Sequence, residues 1–178
     1  MSIGWILHRD WIAVDQAFAD ELQGVLAFHR PAPGSTLVLV GRAVRHAPEF
    51  VLRVVGHPVV LIAESYDGND GAIDTSGTIG AVGGDASALS LYALSATNVR
   101  LIARGGTSTR GRGGAGGLIT FRSLAPSGIQ ARPELSGKGG AGATPGASIA
   151  PTLSWYTRSA QWRADIDAVL GSRVAHAA

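Results

Sequence analysis

Residues 99–121 read VRLIARGGTSTRGRGGAGGLITF. This stretch has two readings: an arginine–glycine segment that binds nucleic acid, or a glycine-rich excursion between two β-strands. Its two ends favour the second. Val99–Ala103 and Leu118–Phe121 are short runs of aliphatic, β-branched and aromatic residues, which is strand chemistry. No Phe, Tyr or Trp is interleaved between Arg104 and Leu118 to stack bases, as flexible RNA-binding segments require. The arginines are therefore expected on a surface loop facing water.

Similar runs extend on both sides of it. TLVLVGRAV (36–44), FVLRVV (50–55), VVLIA (59–63), LSLYAL (89–94) and IQAR (129–132) are punctuated by Gly, Pro, Asn, Asp or Ser. Several are continuously apolar rather than alternating, which predicts strands covered on both faces. VVLIAES (59–65) and VRLIARG (99–105) share Val-x-Leu-Ile-Ala at an offset of 40. Each comes after a strand and a tight turn, and each leads into a glycine-rich segment. A third unit reads LITFRSL-APSG-IQAR, continued by PELSGKGGAGATPG (133–146). Units beginning near 50, 89 and 118 predict a repeat architecture.

The flanks have helical spacing. Val14, Phe18, Leu22, Val25 and Leu26 share one face of a helix predicted over 11–30, ended by PAPG at 31–34. Trp155, Trp162, Ile166, Val169 and Leu170 share a face of a second helix predicted over 153–171, with Ser159 as N-cap and Gly171 as the stop. The expected organisation is one domain over 1–178, with β-repeats over 36–147 between the helices. The open ends of such a stack need covering, and the two terminal segments would do that.

IDTSG (73–77), VRLIARGG (99–106) and GRGGAGG (111–117) running directly into a strand resemble the repeats of glycine-rich bacterial β-helical proteins. The resemblance spans roughly residues 36–145 and implies an architecture without a defined reaction. The fold expected is a small right-handed parallel β-helix or related solenoid. The alternative is a β-sandwich, with the strand–turn–strand units as hairpins.

Composition limits the functional classes. Apolar residues make up 46% and charged residues 16%, which excludes a disordered chain. The absence of cysteine excludes disulfides and thiolate metal sites. The apolar patch before His8 has neither a basic leader nor a small-residue cleavage site, and no run is long enough to span a membrane. A soluble, cytoplasmic protein is expected. Net charge is only +2, but Arg100, Arg104, Arg110, Arg112, Arg122, Arg132 and Lys138 face a single acid, Glu134, within 100–138. That imbalance makes Arg104, Arg110, Arg112, Arg122 and Lys138 the candidate site for a polyanion, either nucleic acid or acidic glycan.

Other constellations favour structural roles. YDGNDGAID (66–74) fails the EF-hand pattern and reads as turn chemistry. Glu64, Asp67, Asp70, Asp74 and Asp85 could serve a polysaccharide-active enzyme, but all lie in or beside one loop. His8, His29, His46, His57 and His176 show no zinc-helix spacing, and no nucleophile elbow occurs. No catalytic residue, metal or cofactor is assigned. Trp155 and Trp162 are the candidate interface anchors. The leading expectation is a non-enzymatic structural or interaction protein that self-associates or joins a larger assembly. Polyanion binding and glycan chemistry come after it, in that order.

Overall fold

The computed structural model describes residues 2–124 and 133–171. The chain winds into a β-solenoid of about five turns in which every pairing among the described strands is parallel. Parallel neighbours exclude the hairpins that a sandwich would need. One wall, sheet A, stacks β1 (Ile3–Val14), β2 (Thr36–His46), β4 (Val59–Asp67), β6 (Leu89–Thr97), β8 (Ile119–Leu124) and β10 (Thr152–Tyr156). A second wall, sheet B, stacks β3 (Val51–Arg53), β5 (Ala72–Asp74), β7 (Arg100–Ile102) and β9 (Glu134–Ser136). The expected IQAR strand and Arg132 lie outside the described residues, as does His176.

Alternation builds the interior. Leu37 and Leu39, Val59 and Leu61, Leu89 and Leu91, then Ile119 and Phe121 point inward and stack in register. Each such side chain contributes roughly 1.5–3 kcal/mol by leaving water. The intervening Val38, Val60 and Ile62 are buried as well, on the outer face of sheet A, under helix α2 (Ser159–Gly171). The continuous apolar runs of β2 and β4 are thus strands covered on both sides.

The corners between the walls use left-handed residues. Glu49, Asn69, Asp70 and Asn98 have positive φ, a conformation that Asn and Asp tolerate better than most residues. Gly71 is required in the corner of YDGNDGAID because a Cβ there would lie 2.2 Å from the Phe50 carbonyl oxygen. The segment is a turn, as its composition indicates.

From β4 to β6 to β8 the chain advances 30 residues per turn, not the 40 that separates the shared phrases. Val59 pairs with Leu89, and Leu89 with Ile119. The second Val-x-Leu-Ile-Ala phrase contributes β7 to sheet B, whereas the first is in β4 of sheet A. The phrases coincide because both walls demand the same inward alternation.

Both flanks differ from the helices expected. Residues 11–14 belong to β1, whose Ile12 and Val14 face inward, and helix α1 runs only from Gln16 to His29. Asp15 starts it by accepting the Phe18 amide at 2.9 Å. The C-terminal helix begins at Ser159 rather than 153, and Trp155 sits in β10. The Gln161 side chain reaches back to accept the Thr157 amide at 2.8 Å.

Candidate functional site

Beyond sheet B, the third, fourth and fifth turns each send an extended segment outward and bring another back. The outgoing segments contain Gly77, Gly105–Gly106 and Gly139–Gly140; the returning ones contain Gly83–Gly84, Gly113–Gly114 and Gly146. Backbone hydrogen bonds join them in both directions. Gly77 N–H donates to Arg104 and Gly105 N–H to Lys138 along the outgoing layer. Across the layers, Gly146 donates to Gly140, Gly140 to Gly114, Gly114 to Gly106, Gly106 to Gly84 and Gly84 to Thr78, each at 2.8–2.9 Å.

Glycine is needed here for close approach. Among the described glycines only Gly34 and Gly56 have positive φ. A Cβ on Gly105 or Gly146 would instead lie 1.8 Å from the Gly114 carbonyl oxygen, and one on Gly114 would lie 1.9 Å from that of Gly84. What the sequence presents as loops is a packed lobe whose layers meet backbone to backbone at these glycines.

The basic residues are dispersed over this frame. Arg122 is on the outer face of sheet A, where it pairs with Asp165 of α2 at 2.5 Å and lies 4.8 Å from the Tyr156 ring centre. It holds the helix and is separate from the lobe. Arg100 pairs with Glu134 at 3.1 Å. Arg104 and Lys138 project from neighbouring outgoing segments, and Arg104 Nε donates to Ser136 Oγ at 2.8 Å. Arg112 belongs to the returning layer opposite Thr144, and Arg110 lies at the tip between the layers. Among the described residues Arg104, Arg110, Arg112 and Lys138 have no acidic partner.

The acids are engaged locally. Asp67 pairs with Arg45 at 3.5 Å and accepts the Asn69 amide at 3.0 Å, and Asp74 accepts the Ser76 amide at 2.8 Å. Asp85 accepts the Ala115 amide at 2.7 Å, and Glu64 pairs with Arg42 at 3.3 Å. A cleft of about 230 Å³ beside Trp162 is lined by His8, Asp10, Arg42 and Glu64. No group of metal-ligating side chains occurs among the described residues, and no described helix is long and apolar enough to cross a membrane.

His46 is an interior residue that the sequence does not reveal. It faces inward near the corner between β2 and β3, 2% exposed. Its Nδ1 lies 3.2 Å from the Phe50 carbonyl oxygen, which can only accept, so Nδ1 carries the proton. Nε2 then accepts the Tyr66 hydroxyl at 3.0 Å. Burial lowers the His46 pKa below its ordinary value, against smaller opposing effects of the Phe50 carbonyl and Asp67. Burial and then Asp67 raise that of Tyr66.

The two tryptophans expected as anchors have separate fates. Trp162 is buried against sheet A, its Nε1 donating to the Tyr92 carbonyl at 3.2 Å. Leu153 and Trp155 point inward from β10, in register with Phe121 and Ser123 respectively. Those β8 neighbours are buried, yet Leu153 is 46% and Trp155 41% exposed, because β10 is the last described strand of the stack. Trp155 meets Phe121 edge to face at a centroid distance of 5.8 Å, continuing the interior column to this end. Helix α2 lies along the outer face of sheet A and leaves the end uncovered, contrary to the expectation that both terminal segments close the stack. A shallow cleft of about 340 Å³ runs beside it, lined in part by Leu135, Ile149 and Pro151.

This face, the tail of the solenoid, has one further property. From Gly139 to Thr157 the chain carries no charged residue, although residues 147–153 are all exposed. That gap, with the alternation of Leu153 and Trp155 against Ser154 and Tyr156, is the signal the sequence holds for it. No family model, curated protein or solved structure matches the chain.

Proposed function

We propose that the protein is a non-enzymatic scaffold whose tail is its association surface. The carrying observation is that Leu153 and Trp155 face the interior column from β10, the last described strand of the stack, and remain exposed. An uncovered strand edge is a template for another chain. Contiguous apolar surface on a soluble fold marks an interaction site. Sedimentation across a range of concentrations, comparing wild type with a Leu153→Asp/Trp155→Ala variant, tests this. The wild type is expected to associate and the variant to remain monomeric; equal masses would sink the reading.

Arg104 and Lys138 favour a second, narrower reading. Like charges directly opposite on neighbouring strands destabilise one another, and an anion seated between them would relieve that repulsion. Acidic glycan fits better than single-stranded nucleic acid, because no aromatic side chain lies on the outgoing segments to stack bases. Retention on heparin resin that falls with salt and is lost in Arg104→Gln/Lys138→Gln is the expected result. Failure of the wild type to bind at low salt would remove it.

A further inference from the structure

We infer that the tail binds the tail of a second copy of this chain, so that two solenoids join end to end in a closed, two-fold dimer. The inference rests on the tail being the association surface and identifies what covers it.

Three observations select this occupant. First, the interior column ends in Leu153 and Trp155, and its natural continuation is another column of inward side chains beside a strand edge. Only a solenoid end offers both. The opposite end of this chain offers less, because the inward residues of β1 are more covered: Ile12 and Val14 are each 1% exposed, Trp5 and Leu7 are partly buried, and Phe18 and Leu22 of α1 pack into the same core. Head-to-tail stacking would have to displace α1.

Second, the fifth-turn glycine segments stop at the tail. Within the lobe, successive layers approach so closely that a Cβ at Gly106, Gly113 or Gly140 would come within 2.0 Å of a neighbouring carbonyl oxygen. A partner that extends this packing must itself present glycine chains at the same spacing. A second tail does so.

Third, a two-fold contact sets a surface against itself, and any charge near the axis meets its own like. The absence of charge from Gly139 to Thr157 removes that repulsion along the whole exposed strip. In sequence, Lys138 and Arg158, both exposed, bound the uncharged stretch.

The chain contains no cysteine, so single cysteines report on the geometry directly. Full-length Ala147→Cys, Thr152→Cys and Ser154→Cys variants probe the tail, and Trp11→Cys on exposed β1 probes the head. Under mild oxidation at least one tail variant is expected to form a disulfide homodimer of twice the monomer mass. Trp11→Cys should remain monomeric, alone and mixed with each tail variant. Trp155→Arg, with circular dichroism to confirm folding, should weaken dimerisation at least ~30-fold if Trp155 is a central anchor. Cross-links only in head–tail mixtures would overturn the two-fold dimer while leaving the tail as the association surface. Association without any tail cross-link, and insensitive to Trp155→Arg, would overturn both. A wild type monomeric at every concentration would do the same.

Discussion

In the strand-built part of the solenoid, Leu61, Leu91 and Phe121 stack between the walls. In the glycine lobe, carbonyl oxygens of Gly84, Gly106 and Gly114 occupy the places where side chains would be. Both parts join successive turns through backbone hydrogen bonds, and they differ in what separates their layers. Aliphatic side chains hold the walls apart and supply burial energy; at its glycine contacts the lobe relies on direct approach of peptide planes. The first tolerates exchange of one apolar shape for another. The second tolerates no added atom at its contact positions.

Four measurements can break or sharpen that contrast. Gly114→Val places a branched side chain where even a Cβ lies 1.9 Å from the Gly84 carbonyl oxygen. Two layers must separate, and the loss in a urea melt should exceed ~4 kcal/mol, the range reserved for gross core disruption. Leu91→Ala leaves a cavity in the fully buried column and should cost about 2–4 kcal/mol. If the glycine substitution proves milder than the leucine one, the lobe is not packed as described.

The third measurement concerns pH. His46 has a lowered pKa in the folded protein, so on acidification the unfolded chain takes up its proton first. Stability should be flat above the ordinary histidine range. It should then fall as pH drops from ~6.5 toward the lower folded value. His46→Gln should flatten that part of a melting-temperature profile, and an unchanged slope would remove His46 as its source. The smallest effect comes from Gly24 in α1, where a Cβ would meet nothing within 4 Å. Gly24→Ala should stabilise by roughly 0.5–1 kcal/mol in the same melt, through helix propensity alone. Opposite signs at Gly24 and Gly114 would show that surroundings, not glycine itself, decide.

The walls are legible in the sequence because burial on both faces leaves a composition that nothing else explains, as in Val59–Ala63. The repeat length is not, because β4 and β7 carry the same phrase in different sheets and only pairing separates them. Strands β1 and β10 merge with the helices because Trp11–Val14 and Leu153–Tyr156 fit helical spacing when joined to the residues after them. The lobe is hidden for another reason: Gly84, Gly106, Gly114 and Gly140 are far apart in sequence and gain meaning only when the turns are stacked. The same distance hides the scatter of the arginines, since Arg104 and Arg122 lie in one basic segment yet serve different faces. The tail is readable in principle through its missing charges, but an absence attracts attention only once the surface is known to be exposed.

The constant advance from Val59 to Leu89 to Ile119 has a consequence for how such a molecule can change its length. A block of 30 residues cut at the paired sheet A strands, such as Val59–Ala88, begins and ends at equivalent points of the winding. Duplicating it inserts one full storey of about 4.8 Å and leaves both end faces as they were. Height can therefore vary in whole increments while head and tail keep their identities, as in a ruler lengthened by copying one of its divisions.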